Sequence, residues 1–155
     1  MAKNKIGANV QSAIKWTIGN LMVGITGEKR AAYQWPLKSL FEAGIRVTNS
    51  SDASVTYPDW RQGVESAVLR KDKATGKVLG PEQCISVEQA IRSYTINGAW
   101  QDHQEHVQGS IEVGKLADFT IIGENILTID PEKIHAIPVL YTIVGGRTVY
   151  KNPQY

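Results

Sequence analysis

The sequence predicts an α/β fold, and three observations carry that prediction. Short apolar runs at 6–10 (IGANV) and from 45 (IRVTNS) read as buried strands. The second run follows a short helical pattern that stops at Gly44 and leads into a polar loop, the order of a βα repeat. Residues 139–151 are two β-rich runs around Gly145-Gly146, a hairpin signal.

Between the two strand runs, residues 16–35 read as irregular, because Gly19, Gly24 and Gly27 interrupt them. WPLKSLFEAG at 35–44 reads as a helix with Pro36 in its first turn and Leu37, Leu40 and Phe41 on one face. Residues 57–71 read as a helix with Asp59 as N-cap and Trp60, Val64, Ala67 and Val68 on one side. Residues 72–83 form a polar, glycine-containing loop. Residues 85–100 predict a single helix: Ser86 and Gln89 have capping-box spacing, and Val87, Ala90, Ile91 and Tyr94 recur at i, i+3, i+4, i+7. The pattern changes near residue 108. A glycine-rich turn leads into a strand from Ala117 to Ile122, and the hairpin follows. The expected organisation is therefore 1–108 as a helix-and-parallel-strand part and 109–155 as a β part.

Composition narrows the function classes. Lys plus Arg is 17 and Asp plus Glu 15 in 155 residues, a net charge of +2. That balance, with no basic block, argues against nucleic acid as a partner. No apolar run is long enough to span a bilayer, so no membrane partner is expected. The start, MAKNKIGANVQSAIKW, lacks the continuous apolar stretch of a leader peptide. Cys84 is the lone cysteine, which rules out an intrachain disulfide and fits a cytoplasmic location.

Two parallel-type strands are too few for a closed sheet. Such strands need neighbours on both sides and helices on both faces, and a closed βα barrel takes eight strands over roughly 250 residues. The chain is expected to be the last part of a larger architecture.

Four stretches, in order, carry a family resemblance: IGANVQSA, AGIRVTNSSDASV, GPEQCISVEQAIRSYTINGAW, and GSIEVGKLADFTII with YTIVGGRTVYK. The sequence resembles the C-terminal portion of the amidohydrolase superfamily, specifically the amidohydrolase 3 group of metal-dependent hydrolases. The resemblance implies the C-terminal part of a (β/α)8 TIM-type barrel, with strands seven and eight in 1–108, followed by strands of a small β-sandwich in 109–155. It implies a hydrolase acting on non-peptide carbon–nitrogen bonds of a small-molecule substrate, with zinc as the divalent metal. Asp52 then holds the position of the acid after strand eight, which contacts the metal and moves a proton between the attacking water and the leaving nitrogen.

The remaining family ligands are missing. The His-x-His of strand one, the bridging group and the two later histidines have no counterpart, and the histidines here are His103, His106 and His135. A catalytic zinc site usually takes three protein ligands, so the chain alone is expected to be inactive, and possession of a bound metal depends on a complementing N-terminal chain or a homo-oligomer. The alternative is a non-catalytic truncated or split product acting only by association. Two prolines also depart from the family pattern: its Gln-Pro is Gln11-Ser12 here, and its Ser-Asp-x-Pro-Val is Ser51-Asp52-Ala53-Ser54-Val55. Their loss is expected to loosen the loops.

By composition alone, Asp52 in SSDAS reads as a turn or cap residue. Asn9 and Gln11 either line the substrate pocket or satisfy loop backbone groups. His103 and His106 share a face if helical, with a solvated helix end as the plainer reading. His135, Lys115 and Asp118 read as structural, Arg30 as a surface arginine, Cys84 as a small half-buried residue, and the four tryptophans as core or interface anchors.

Overall fold

The computed structural model describes residues 1–155. Strands β1 (Ala8–Val10) and β2 (Val47–Asn49) pair in parallel, with Asn9 opposite Thr48 and Val10 opposite Asn49. The chain between them is α1 (Ser12–Thr26), α2 (Glu28–Tyr33) and α3 (Leu37–Glu42). All three residues of β2 are buried, as a strand covered on both faces requires. Val47 lies in the apolar core, and the Asn97 side-chain amide donates to its carbonyl at 2.9 Å. The Thr48 hydroxyl donates to the Gln101 side chain at 2.6 Å.

The irregular reading of residues 16–35 is corrected: 16–26 and 28–33 are helical. Helix α1 runs through Gly19 and Gly24 and stops only at Gly27, whose φ is +79°. Tertiary packing overrides the weak helix propensity of glycine here. At Gly19 an added Cβ would lie 2.8 Å from a Leu79 methyl, so the bare backbone allows the 70–80 segment to close on α1. Below this contact, Lys15 is 2 % exposed and donates to the Ala31 carbonyl at 2.9 Å, joining α1 to α2. Burial and the nearby Arg70 charge push the Lys15 ammonium down to about 8.

Helix α4 (Trp60–Leu69) begins at Asp59, whose carboxylate accepts from the Arg61 amide at 3.0 Å. It ends at Arg70 in the left-handed region, φ +52°. The Arg70 guanidinium is 1 % exposed and donates to the carbonyls of Ala32, Gln34, Trp35 and Leu79 at 2.9–3.0 Å. One cation thus gathers the carbonyls of the α2–α3 turn and of Leu79. Its burial pushes the guanidinium down to about 10.

The predicted 85–100 helix is two helices, α5 (Val87–Tyr94) and α6 (Ile96–Gln101), broken at Thr95 with φ −122° and ψ −101°. The Ser86–Gln89 capping box forms, with both hydrogen bonds present. Gly98 lies inside α6.

Strands β3 (Phe119–Ile122), β4 (Val139–Val144) and β5 (Arg147–Lys151) form an antiparallel sheet in that order. Gly145 and Gly146 both have positive φ and make the tight turn of the β4–β5 hairpin. One core joins Val10, Leu37, Val47, Val64, Ala67 and Ala90 to Ile126, Ile134 and Ile137, which lie beyond residue 109. Arg61 reinforces that junction by donating to the Ile137 carbonyl at 2.6 Å.

Candidate functional site

Parallel pairing brings the C-terminal ends of β1 and β2 side by side, and the loops leaving them form one rim. Asn9 is exposed, and its Oδ1 accepts from Gln11 Nε2 at 3.1 Å and from the Ser50 hydroxyl at 3.0 Å. The structure therefore brings Asn9, Gln11 and Ser50 together. The Ser50 amide donates to the Val10 carbonyl at 2.9 Å, extending the strand pairing by one residue.

Asp52 follows β2 by three residues, on the same loop. Its φ is +53°, a left-handed conformation that aspartate tolerates better than most side chains. The Val55 amide donates to the Asp52 carbonyl at 2.6 Å, and the Thr56 hydroxyl donates to the Ser51 carbonyl, closing a tight turn. The Asp52 side chain is exposed.

Beneath this rim lies a buried polar group that the sequence reading did not single out. Asn49 Oδ1 accepts from the Ser12 amide at 3.0 Å, and Asn49 Nδ2 donates to the Ser12 hydroxyl at 2.7 Å. That hydroxyl donates to the Gly63 carbonyl at 2.7 Å. Tyr94 packs at the same point: a Cβ on Gly63 would stand 1.9 Å from the phenol oxygen. Burial pushes the Tyr94 phenol up to about 12, against an opposing contribution from Ser12. The available signal was Asn49 at the end of a strand read as buried, where a buried amide has to find partners.

The other candidates are dispersed. His103 and His106 lie beyond α6 in turns, both exposed, and His103 has φ +58°, so the shared helical face does not form. His135 Nδ1 pairs with Glu65 at 2.6 Å, holding the 131–136 turn on α4. Lys115 donates to the Glu105 carbonyl at 2.6 Å and pairs with Glu112 at 3.1 Å. Asp118 accepts from the Gly145 amide at 2.7 Å and fixes the hairpin turn. Arg30 is exposed on α2. Cys84 is half-buried, and burial pushes its thiol up, away from the thiolate. A cleft of about 800 Å³ opens between α5–α6 and the β3–β5 sheet, but neither Asp52 nor Asn9 nor Gln11 lines it.

No three His, Cys, Asp or Glu side chains converge anywhere in the chain. The residues present do not make a metal site by themselves: the rim offers one carboxylate where a catalytic zinc takes three protein ligands.

The chain belongs to the amidohydrolase family, whose profile matches residues 1–150. Among curated relatives, YtcJ of Bacillus subtilis (strain 168), a protein named for the amidohydrolases, is 32% identical over 144 residues, covering 92% of this chain and 26% of its own length. The N-substituted formamide deformylase of Arthrobacter pascens is 30% identical over 117 residues, covering 76% of this chain and 21% of the enzyme. A 5-methylthioadenosine/S-adenosylhomocysteine deaminase of Teredinibacter turnerae is 33% identical over 122 residues, covering 77% and 26%. The crystal structure of an uncharacterized metal-dependent hydrolase from Pyrococcus horikoshii OT3 superposes with a TM-score of 0.70 at 24% identity, covering 84% of this chain and 27% of that one. The chain thus spans about a quarter of the length of the relatives it matches.

Proposed function

We propose that this chain contributes one corner of the active centre of a metal-dependent hydrolase that cleaves a non-peptide carbon–nitrogen bond in a small molecule. The observation that supports it is the position of Asp52, three residues beyond β2, on the rim that Asn9 and Gln11 share at the end of the parallel partner β1. In βα barrels that rim is where catalytic residues stand. We read β1 and β2 as neighbouring strands of such a barrel and β3–β5 as strands of its β-sandwich. The names of two relatives, a deformylase of N-substituted formamides and a deaminase, both concern carbon–nitrogen bonds.

In this reading the Asp52 carboxylate takes a proton from the attacking water and returns it to the leaving nitrogen. The amides of Asn9 and Gln11 hold the substrate. Zinc is the metal we expect, and its other ligands come from a complementing chain or further copies. A cytoplasmic location fits the lone cysteine.

The lack of converging ligands favours a second reading, a non-catalytic product that acts only by association. Metal analysis separates the two. Zinc and turnover that appear when the chain is combined with the remaining barrel polypeptide, and disappear in Asp52→Ala, support the first. A complex that forms without zinc or turnover supports the second.

A further inference from the structure

The loop that carries Asp52 leaves the fold at Asn49 and rejoins it in the first turn of α4, near Gly63. Both ends reach the same atom. The Ser12 hydroxyl accepts from Asn49 Nδ2 and donates to the Gly63 carbonyl, each at 2.7 Å, using its one proton once. The Ser12 amide, at the start of α1, donates to Asn49 Oδ1 at 3.0 Å. Ser12 and Asn49 are 2 % and 7 % exposed, so water does not replace these bonds. Proline, the residue of the family pattern at this position, has neither the N–H nor the hydroxyl. A hydrogen-bonded tie thus stands at Ser12, where the family pattern has the proline ring.

We propose that Ser12, through Asn49 and Gly63, is a positioning residue that clamps both ends of the Asp52 loop and fixes them to the β1–α1 turn carrying Gln11. Its bearing on catalysis rests on the reading of Asp52 given above. The clamp itself does not. A removed hydroxyl leaves the buried Asn49 amide without an acceptor and takes from the Gly63 carbonyl a donor beyond its helical one, and the loop gains an opening motion that the rest of the core does not share.

The test is amide hydrogen exchange by NMR on the full 155-residue chain, without metal. The reporters are Ser50, whose amide bonds to Val10, Val55, whose amide bonds to Asp52, and Gly63, whose amide bonds to Asp59. Ala90 and Ala99, buried residues whose amides bond to the Ser86 and Thr95 carbonyls, are the controls. Ser12→Ala and Asn49→Ala should each speed exchange at the reporters by about tenfold while the controls change far less. The double variant should be no looser than the worse single, because both act through one relay. Reporters that stay protected, reporters and controls that loosen together, or additive effects in the double variant would each overturn the proposal. Loss of the folded state in both single variants would do the same, by showing a global role. Failure of the Asp52 reading shows elsewhere, in bound zinc that is indifferent to Asp52→Ala.

Discussion

Gly63 offers the sharpest test of the packing beneath the rim. An alanine Cβ there would stand 1.9 Å from the Tyr94 hydroxyl oxygen, roughly 1.6 Å inside an ordinary contact of about 3.5 Å. Tyr94 packs against the core, so it cannot yield freely. Overpacking of this kind costs about 3 kcal/mol. Replacing a helical glycine by alanine returns about 1 kcal/mol, which leaves a net loss of about 2 kcal/mol for Gly63→Ala. For a chain of this size that lowers Tm by about 4–8 °C. In a Tyr94→Phe background the nearest atom becomes the ring carbon at 2.8 Å. The same substitution should then cost less than about 1 kcal/mol, giving a coupling of at least about 1 kcal/mol. Thermal and urea denaturation of the four proteins of the cycle, followed by circular dichroism, measure it. A Gly63→Ala variant that is more stable than the parent, or a cost equal in both backgrounds, would refute the reasoning.

Three other outcomes are expected. Arg70→Met should lose about 3–5 kcal/mol in urea denaturation, because four carbonyls lose their shared donor in a buried site. The Lys15 ammonium, at about 8 in the folded chain against an ordinary 10.5, makes stability rise with pH, since the unfolded state holds more protons across that window. The gain between pH 8 and 9.5 should be about 1.5 kcal/mol, and its absence in Lys15→Met, by denaturation at each pH, is the check. Sedimentation of the isolated chain should show self-association at micromolar concentration, because both β sheets end in unpaired edges, and a monodisperse monomer would contradict this.

The parts of the fold legible in the sequence were those set by local chemistry. The Ser86–Gln89 capping box, the Asp59 cap and the Gly145-Gly146 hairpin each depend on residues a few positions apart. Helix α1 was not legible because it is supported from outside, by Leu79 packing on Gly19 and by Lys15 reaching Ala31. The break at Thr95 was hidden for a related reason: the apolar period continues through Tyr94, while Asn97 turns aside to the Val47 carbonyl fifty residues away. At the rim, the family pattern drew attention to Asp52, Asn9 and Gln11. The tie of Ser12 to Asn49 and Gly63 went unseen because it spans 37 and 51 residues of sequence.

The central claim is that Asp52 is one carboxylate of a metal centre whose other ligands lie outside this chain. Zinc stoichiometry tests it most directly, measured on the chain alone, on the chain combined with a polypeptide carrying the rest of the family's barrel, and on both again with Asp52→Ala. Little zinc is expected on the chain alone, near-stoichiometric zinc in the combination, and loss of that zinc in Asp52→Ala. A full complement of zinc on the lone chain, or zinc in the combination that ignores Asp52→Ala, would contradict it.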